Sequence, residues 1–318
     1  MPPTVSVVIP VFNEEQILST LHQRLSAVLR AYGEAYEIVF VNDGSRDGSL
    51  AVLKRLHAED ATVKIVSLSR NFGHQTAITC GLDQATGEAV IVMDADLQDP
   101  PELLPQLLDK WRDGYDVVYA VRDKREGESA FKLGTAAVFY RLLRALTQVD
   151  IPLDTGDFRL MSRRAVDALQ SARERSRFVR GLVSWVGYRQ TGVTYTRKER
   201  LVGETKYPLR KMLKFALDGL TAFSFAPLQA ATYLGIGISA LSFLYALYAI
   251  FLRLFTAQTV PGWTSLMVAV LFLGGVQLVA LGIIGEYLGR VYEEVKQRPL
   301  YLLDERIGFE SPPCREGE

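Results

Sequence analysis

Short apolar runs alternate with amphipathic stretches over the first part of the chain, and two long uncharged apolar blocks, Gly219–Leu252 and Leu254–Gly285, follow further on. The runs Val5–Val11, Glu37–Val41, Val63–Leu68, Ala89–Met93 and Val117–Ala120 have the length and β-branched content of buried strands. Between them Ile17–Arg30, Ser49–Ala58, Gln75–Ala85 and Leu103–Asp113 carry apolar residues at helical spacing. Strand and helix in alternation predict an α/β fold, a mainly parallel, Rossmann-like sheet covered by helices. In such a sheet ligands bind beyond the carboxyl ends of the strands.

The two apolar blocks predict a pair of membrane-spanning helices. Leu228–Leu252 alone would extend about 37 Å as a helix, more than the roughly 30 Å hydrocarbon core. Between the blocks stand Arg253, the single charge, and Thr256–Trp263, whose Gln258, Pro261, Gly262 and Trp263 suit a tight interfacial turn. Arg197, Lys198, Arg200, Lys206, Arg210, Lys211 and Lys214 precede the first block and Arg290, Lys296 and Arg298 follow the second. That bias places both termini and the α/β domain in the cytoplasm and the chain in the cell (inner) membrane with two spans. Met1 opens no leader-like series, so no export of the large domain is expected. The expected division is an α/β domain over 1–196, an amphipathic juxtamembrane segment over 197–226, a helical hairpin over 227–289 and a cytoplasmic tail over 290–318.

Composition changes little in this picture. With 36 basic and 36 acidic residues in 318 the chain has no global field for nucleic acid, although the basic run before the membrane can hold a phosphate or anionic lipid. Cys80 and Cys314 lack metal spacing, and His22, His57 and His74 are scattered, with surface or ordinary packing as their default reading. Gly235-Ile-Gly237-Ile-Ser-Ala240 matches a dinucleotide fingerprint in letters, but it sits inside an apolar block; helix packing through small residues, as at Gly285 and Gly289, explains it better.

Polar residues crowd the expected strand ends: Asn13, Glu14 and Glu15; Asn42 and Asp43; Arg70 and Asn71; Asp94 and Asp96; Arg122 and Asp123. Asp94-Ala-Asp96 follows a buried run and precedes Leu97-Gln-Asp-Pro-Pro101, which halts the strand. Two carboxylates there suit a hard divalent cation, Mg²⁺ or Mn²⁺, shared with a substrate diphosphate. Asp43 reads either as an acceptor for a base or ribose, or as the first residue of a simple Asp-Gly turn.

Six motifs in order, Pro10-Val-Phe-Asn-Glu14, Val41-Asn-Asp-Gly-Ser45, Ser69-Arg-Asn-Phe-Gly73, Asp94-Ala-Asp-Leu-Gln-Asp-Pro100, Gly156-Asp-Phe-Arg-Leu160 and Arg200-Leu-Val-Gly-Glu-Thr-Lys-Tyr207, resemble the polyprenyl-phosphate glycosyltransferases of GT-A type, family 2. The nearest branch is the GtrB-like enzymes, related to dolichol-phosphate mannose synthase. Thr205 stands where relatives often carry serine, a change that keeps the hydroxyl. The resemblance implies inverting transfer of a hexose, with UDP-glucose as the expected donor, to undecaprenyl or another polyprenyl phosphate. It implies that Pro10, Asn13, Glu15 and Asp43 bind the nucleotide sugar, with Arg70, Gln98 and Arg122 on the same rim. Asp94 and Asp96 would engage metal and diphosphate, and Asp157 would sit near the reacting centre.

Asp157 reads as a general base, as a group orienting Arg159 or a sugar hydroxyl, or as the Asp of a Gly-Asp turn before a strand over Phe158–Met161. An alkyl phosphate with a second pKa near 6 needs little deprotonation at neutral pH, which weighs against an obligatory base. Arg200 and Lys206 are the expected ligands of the lipid phosphate, on an amphipathic segment fit for the headgroup layer. A processive polysaccharide synthase is disfavoured because no Gln-x-x-Arg-Trp is present, and a non-enzymatic nucleotide-sugar-binding protein because the three carboxylates are kept. A homo-oligomer is compatible with the sequence.

Overall fold

The computed structural model describes residues 3–122, 155–175, 177–195, 226–255 and 262–309. These fall into two compact units: one holds the described residues up to 195 together with 298–309, the other the two long apolar helices.

Strand β1 (Val5–Val11) pairs in parallel with β2 (Tyr36–Asn42) on one side and β4 (Ala89–Val92) on the other, and β2 pairs in parallel with β3 (Val63–Leu68). Beyond β4 lies β6 (Thr155–Ser162), antiparallel both to β4 and to β5 (Val117–Arg122); β5 pairs in parallel with β7 (Gln190–Tyr195). Beside β3 on its other side β8 (Leu303–Ile307) runs antiparallel, and among the described residues the sheet has eight strands in the order β7-β5-β6-β4-β1-β2-β3-β8.

Every residue of β1 is buried because both faces of the sheet are covered. Val5, Val7, Ile9 and Val11 join the main core with Phe40, Ile65 and the helices α1 (Leu18–Tyr32), α2 (Ser49–Glu59) and α4 (Leu104–Arg112). Leu18, Leu21, Leu25 and Leu29 form the buried stripe of α1, each worth about 1.5–3 kcal/mol relative to exposure. The helix stops where Gly33 adopts φ 84° and its N–H bonds Leu29 O at 3.3 Å. On the opposite face α3 (His74–Gln84) packs closely on β1: a Cβ at Gly81 would stand 2.2 Å from Val8 Cγ1. Two further helices follow β6, α5 (Arg163–Ser171), capped by Ser162, and α6 (Val179–Trp185).

In the second unit, α7 (Ala226–Phe255) and α8 (Trp263–Val295) contain stretches, Ala231–Leu252 and Ser265–Val295, of mean hydropathy 1.9 and 2.5 that are long and apolar enough to cross a membrane. Neither stretch is buried among the described residues. Gly235–Ala240 lies within α7, so it forms no nucleotide loop. Among the described residues an added Cβ at Gly235, Gly237, Gly285 or Gly289 meets nothing within 4 Å.

Most element ends shift by one or two residues, and two differences from the sequence reading are larger. Strand β6 begins at Thr155, so Asp157 lies inside a strand and not in a turn before one. The segment read as a tail from 290 onward continues α8 to Val295 and then supplies β8. Leu303-Asp-Glu-Arg-Ile307 carries three charges in five residues, as an edge strand can, and so has little apolar signature.

Candidate active site

The carboxyl ends of β1, β2 and β4 and the first turn of α3 enclose a cavity of about 300 Å³. Pro10 and Phe12 line it from β1, Asp43 from β2, Asp94 and Asp96 from β4, and His74 from α3. A second cavity, of about 530 Å³, opens over the ends of β2 and β3 and shares Phe12 with the first, and Asn71 as well.

Asp43 is fixed by the neighbouring turn. Its two carboxylate oxygens accept from the amides of Phe72 (2.7 Å) and Gly73 (3.0 Å). Burial pushes its pKa up, against the pull of those amides. Gly44 permits the arrangement: it holds φ 65°, and a Cβ there would lie 2.5 Å from the backbone carbon of Arg70.

The acid pair sits on a strained loop. Leu97 holds φ 59° directly after Asp96, an uncommon conformation for a branched residue. The Gln98 amide donates to Asp96 Oδ1 at 3.1 Å, and buried Asp99 receives the Tyr195 hydroxyl at 2.9 Å while facing the Asp94 amide at 3.5 Å. Asp94 is pushed up to about 7, chiefly by burial, with Asp99, Asp157 and Asp96 adding repulsion and His74 opposing it. Among the described residues its Oδ1 accepts no hydrogen bond, although His74 Nε2 stands 3.4 Å away.

Asp157, buried on β6, is surrounded by donors. Arg180 grips both its oxygens, His74 Nε2 lies at 3.2 Å, Gln75 Nε2 donates at 3.3 Å, and the guanidinium of fully buried Arg159 lies at 3.5 Å. Burial alone would raise Asp157, but His74, Arg180 and Arg159 hold it well below the usual carboxylate range. For His74 burial opposes protonation, yet Asp157 and Asp94 outweigh it and raise the imidazole. His74 thus lies between the acid pair and Asp157, 3.4 Å from Asp94 and 3.2 Å from Asp157.

The other expected residues divide. Asn13, at φ 57°, accepts from the Arg46 amide at 2.8 Å and lines the larger cavity with Arg70, whose guanidinium stacks on Phe72 at 4.0 Å. Glu15 lines neither cavity: its carboxylate receives the Gly48 amide at 2.9 Å, ahead of α2. Gln98 lines neither one. Arg122 ends β5, opposite Tyr195. Arg200 and Lys206 lie outside the described residues.

Sequence reasoning passed over His74, Gln75, Asp99 and Arg180. His74 directly follows the Ser69–Gly73 motif and opens α3, a position that signals the rim. Arg180 has no such marker, being 23 residues from its partner.

Among the described residues no three His, Cys, Asp or Glu side chains are arranged to hold a metal by themselves. Two carboxylates, one with an oxygen that accepts no hydrogen bond from the described residues, fit a hard cation that takes its remaining ligands from a polyanionic substrate and water.

Glycosyl transferase family 2 matches residues 6–170, and the GtrB C-terminal hairpin matches residues 226–291. The uncharacterized glycosyltransferase YkcC of Bacillus subtilis (strain 168) is 54% identical over 306 residues, covering 96% of this chain and 95% of its own. The SfII prophage-derived bactoprenol glucosyl transferase of Shigella flexneri is 42% identical, covering 94% and 97%. A solved glucosyl-3-phosphoglycerate synthase of Mycobacterium tuberculosis, in complex with Mn²⁺, UDP-glucose and phosphoglyceric acid, superposes with a TM-score of 0.48 at 18% identity, over 69% of this chain and 78% of that one.

Proposed function

The chain belongs to glycosyl transferase family 2, and from that membership we propose that it transfers glucose from UDP-glucose to a polyprenyl phosphate at the cytoplasmic face of the cell membrane, with inversion. The observation that carries this reading is the convergence of Asp94, Asp96, Asp43 and His74 at the ends of parallel strands, with Asp157 joined to them through His74. The bactoprenol glucosyl transferases among the relatives support the acceptor class. A divalent cation, Mg²⁺ or Mn²⁺, held by Asp94 and Asp96 would neutralise the diphosphate as it departs.

The remaining chemistry falls to side chains. A lipid phosphate oxygen forms the new bond to the anomeric carbon while the bond to the diphosphate breaks and its electron pair leaves on UDP. The acceptor phosphate is largely dianionic at neutral pH, with a second pKa of about 6, so no proton has to be removed. Asp157 is a poor base in its setting of cations, and we assign it the task of holding Arg180 and His74 in place beside the reacting groups. The fixed guanidinium of Arg180 stabilises developing negative charge without reorganising. Arg200 and Lys206 are assigned to the lipid phosphate.

Strand pairing supports the two-span topology. Because β8 follows α8 in the chain and pairs with β3, residues before and after the hairpin share one side of any membrane, which needs an even number of crossings. The test of the reaction is to incubate detergent-solubilised protein with polyprenyl phosphate and a panel of nucleotide sugars and to weigh the glycolipid formed. A hexosyl lipid from UDP-glucose is expected; no lipid product from any donor would reject the reading.

A further inference from the structure

The loop that carries the acid pair is fastened at its far end by a tyrosine from another part of the sheet. Asp99, 2% exposed, follows Asp96 in that loop, and its Oδ1 receives the hydroxyl of Tyr195 at 2.9 Å. Its other oxygen faces the Asp94 amide at 3.5 Å, so one buried carboxylate meets both the start of the loop and strand β7. Tyr195 ends β7, which is separated from β4 in the sheet by β5 and β6. The tyrosine ring is itself held: it is buried, and the Phe158 ring meets it edge-on at 6.0 Å and 83°. Phe158 directly follows Asp157 on β6.

Between these fixed points Leu97 keeps φ 59°, a conformation that a branched residue holds only where its surroundings over-determine it. Three restraints do so. Ala95 and Leu97 are sunk in the core, the Gln98 amide donates to Asp96, and Tyr195 pins Asp99. The first two are local to the loop, whereas the third comes from a distant strand.

We propose that Tyr195 is a positioning residue for the acid pair, acting through Asp99 to hold Asp94 and Asp96 in the arrangement that takes the divalent cation. The inference rests on the metal reading above. A buried carboxylate that loses a donor cannot turn to bulk water in exchange, so without the hydroxyl Asp99 has to shift, and the loop shifts with it. Groups that orient metal ligands without touching the metal typically set its affinity by about ten- to a hundredfold. Tyr195 lies outside residues 6–170 and 226–291, the two regions that the family matches cover.

The test measures Mn²⁺ binding directly, by electron paramagnetic resonance of the free ion, in full-length protein held in detergent with UDP. The variants are Tyr195→Phe, Asp99→Asn, the two combined, and Tyr119→Phe, a control that removes another buried tyrosine hydroxyl from the same sheet. Tyr195→Phe keeps the ring against Phe158 and should weaken Mn²⁺ by about tenfold while melting close to the parent. Excess Mn²⁺ should restore its turnover, and its Michaelis constant for polyprenyl phosphate should stay at the parent's value. Asp99→Asn should also weaken Mn²⁺, and the double variant should lose no more than Asp99→Asn alone, because the hydroxyl acts through that carboxylate. Tyr119→Phe should bind Mn²⁺ as the parent does. Parent-like Mn²⁺ affinity in Tyr195→Phe overturns the assignment while the metal reading stands, and so does an equal loss in Tyr119→Phe, which would reduce the effect to general loosening. Fully additive losses in the double variant overturn the route through Asp99. A parent that binds no Mn²⁺ beside UDP overturns both the assignment and the metal reading.

Discussion

Arg180 donates from Nε to Oδ1 of Asp157 at 2.9 Å and from Nη2 to Oδ2 at 3.0 Å, a two-point grip on a carboxylate that is only 5% exposed. Such a pair fixes direction as well as charge. Arg180→Lys keeps the cation but loses the fork, so transfer should fall by about a hundredfold, the scale of a misplaced catalytic group. UDP affinity should hardly change. The measurement is kcat and UDP binding on the same preparation; if Arg180→Lys turns over like the parent, the grip has no part in the reaction.

Asp96→Asn should abolish transfer in protein that remains folded, since an amide is a poorer ligand than a carboxylate for a hard cation. Excess chelator should reproduce the loss, and added Mg²⁺ or Mn²⁺ should restore the parent but not the variant. Full turnover in chelator removes the metal from the scheme.

Gly44→Ala should lower both the melting temperature and the affinity for UDP. Its φ of 65° and a prospective Cβ 2.5 Å from Arg70 and Asn71 backbone atoms leave no room to relax without moving the turn that Asp43 anchors. Strain of this kind costs about 1–3 kcal/mol. A variant that melts and binds like the parent would show that the turn is softer than its packing suggests.

Glu37 links stability to pH. It is buried beside Lys64 and receives Ser6 and both donors of Thr86. Burial raises its pKa, but Lys64, Ser6 and Thr86 more than compensate and the net shift is downward. A carboxyl with a lowered folded pKa contributes stability above its unfolded value of about 4.3 and loses it as pH falls through the folded value. Glu37→Gln should therefore melt lower at pH 7 and show a flatter decline toward pH 3. Parallel profiles for the two proteins would refute the linkage.

Tags at Met1 and Glu318 should share one side of the membrane, as β8 beside β3 requires when both helices cross, and the basic residues flanking the hairpin predict that this side is cytoplasmic and a tag at Gln258 external. Protease protection in sealed vesicles reads this directly. Opposite locations for the two terminal tags would mean that only one helix spans.

Apolar runs make the centre of the sheet legible in the sequence itself. Val5–Val11 and Val63–Leu68 have the strand limits the sequence predicts, because a strand covered on both faces is mostly apolar, Ser6, Lys64 and Ser67 being the exceptions. The acid pair is legible for a related reason, since Asp94 and Asp96 interrupt such a run. Arg180 is not: its role depends on α6 being carried to β6, a long-range packing result with no local pattern. His74 misleads, because a single histidine looks like surface until α3 is set against Val8 and its first turn faces Asp157. Glu15 shows the reverse, a motif residue whose carboxylate serves a scaffold amide at Gly48.

Because β8 is made last, the order of synthesis matters to the sheet. Chains fold from the amino terminus as they emerge, so β1 to β7 can assemble while β3 still presents an open edge. An uncovered edge strand invites pairing with other chains. Ser69 and the β3 backbone find their partners only after both apolar helices have left the ribosome, so completion of the sheet waits on synthesis of the hairpin. Fragments that stop after β7 would keep that edge exposed and should self-associate.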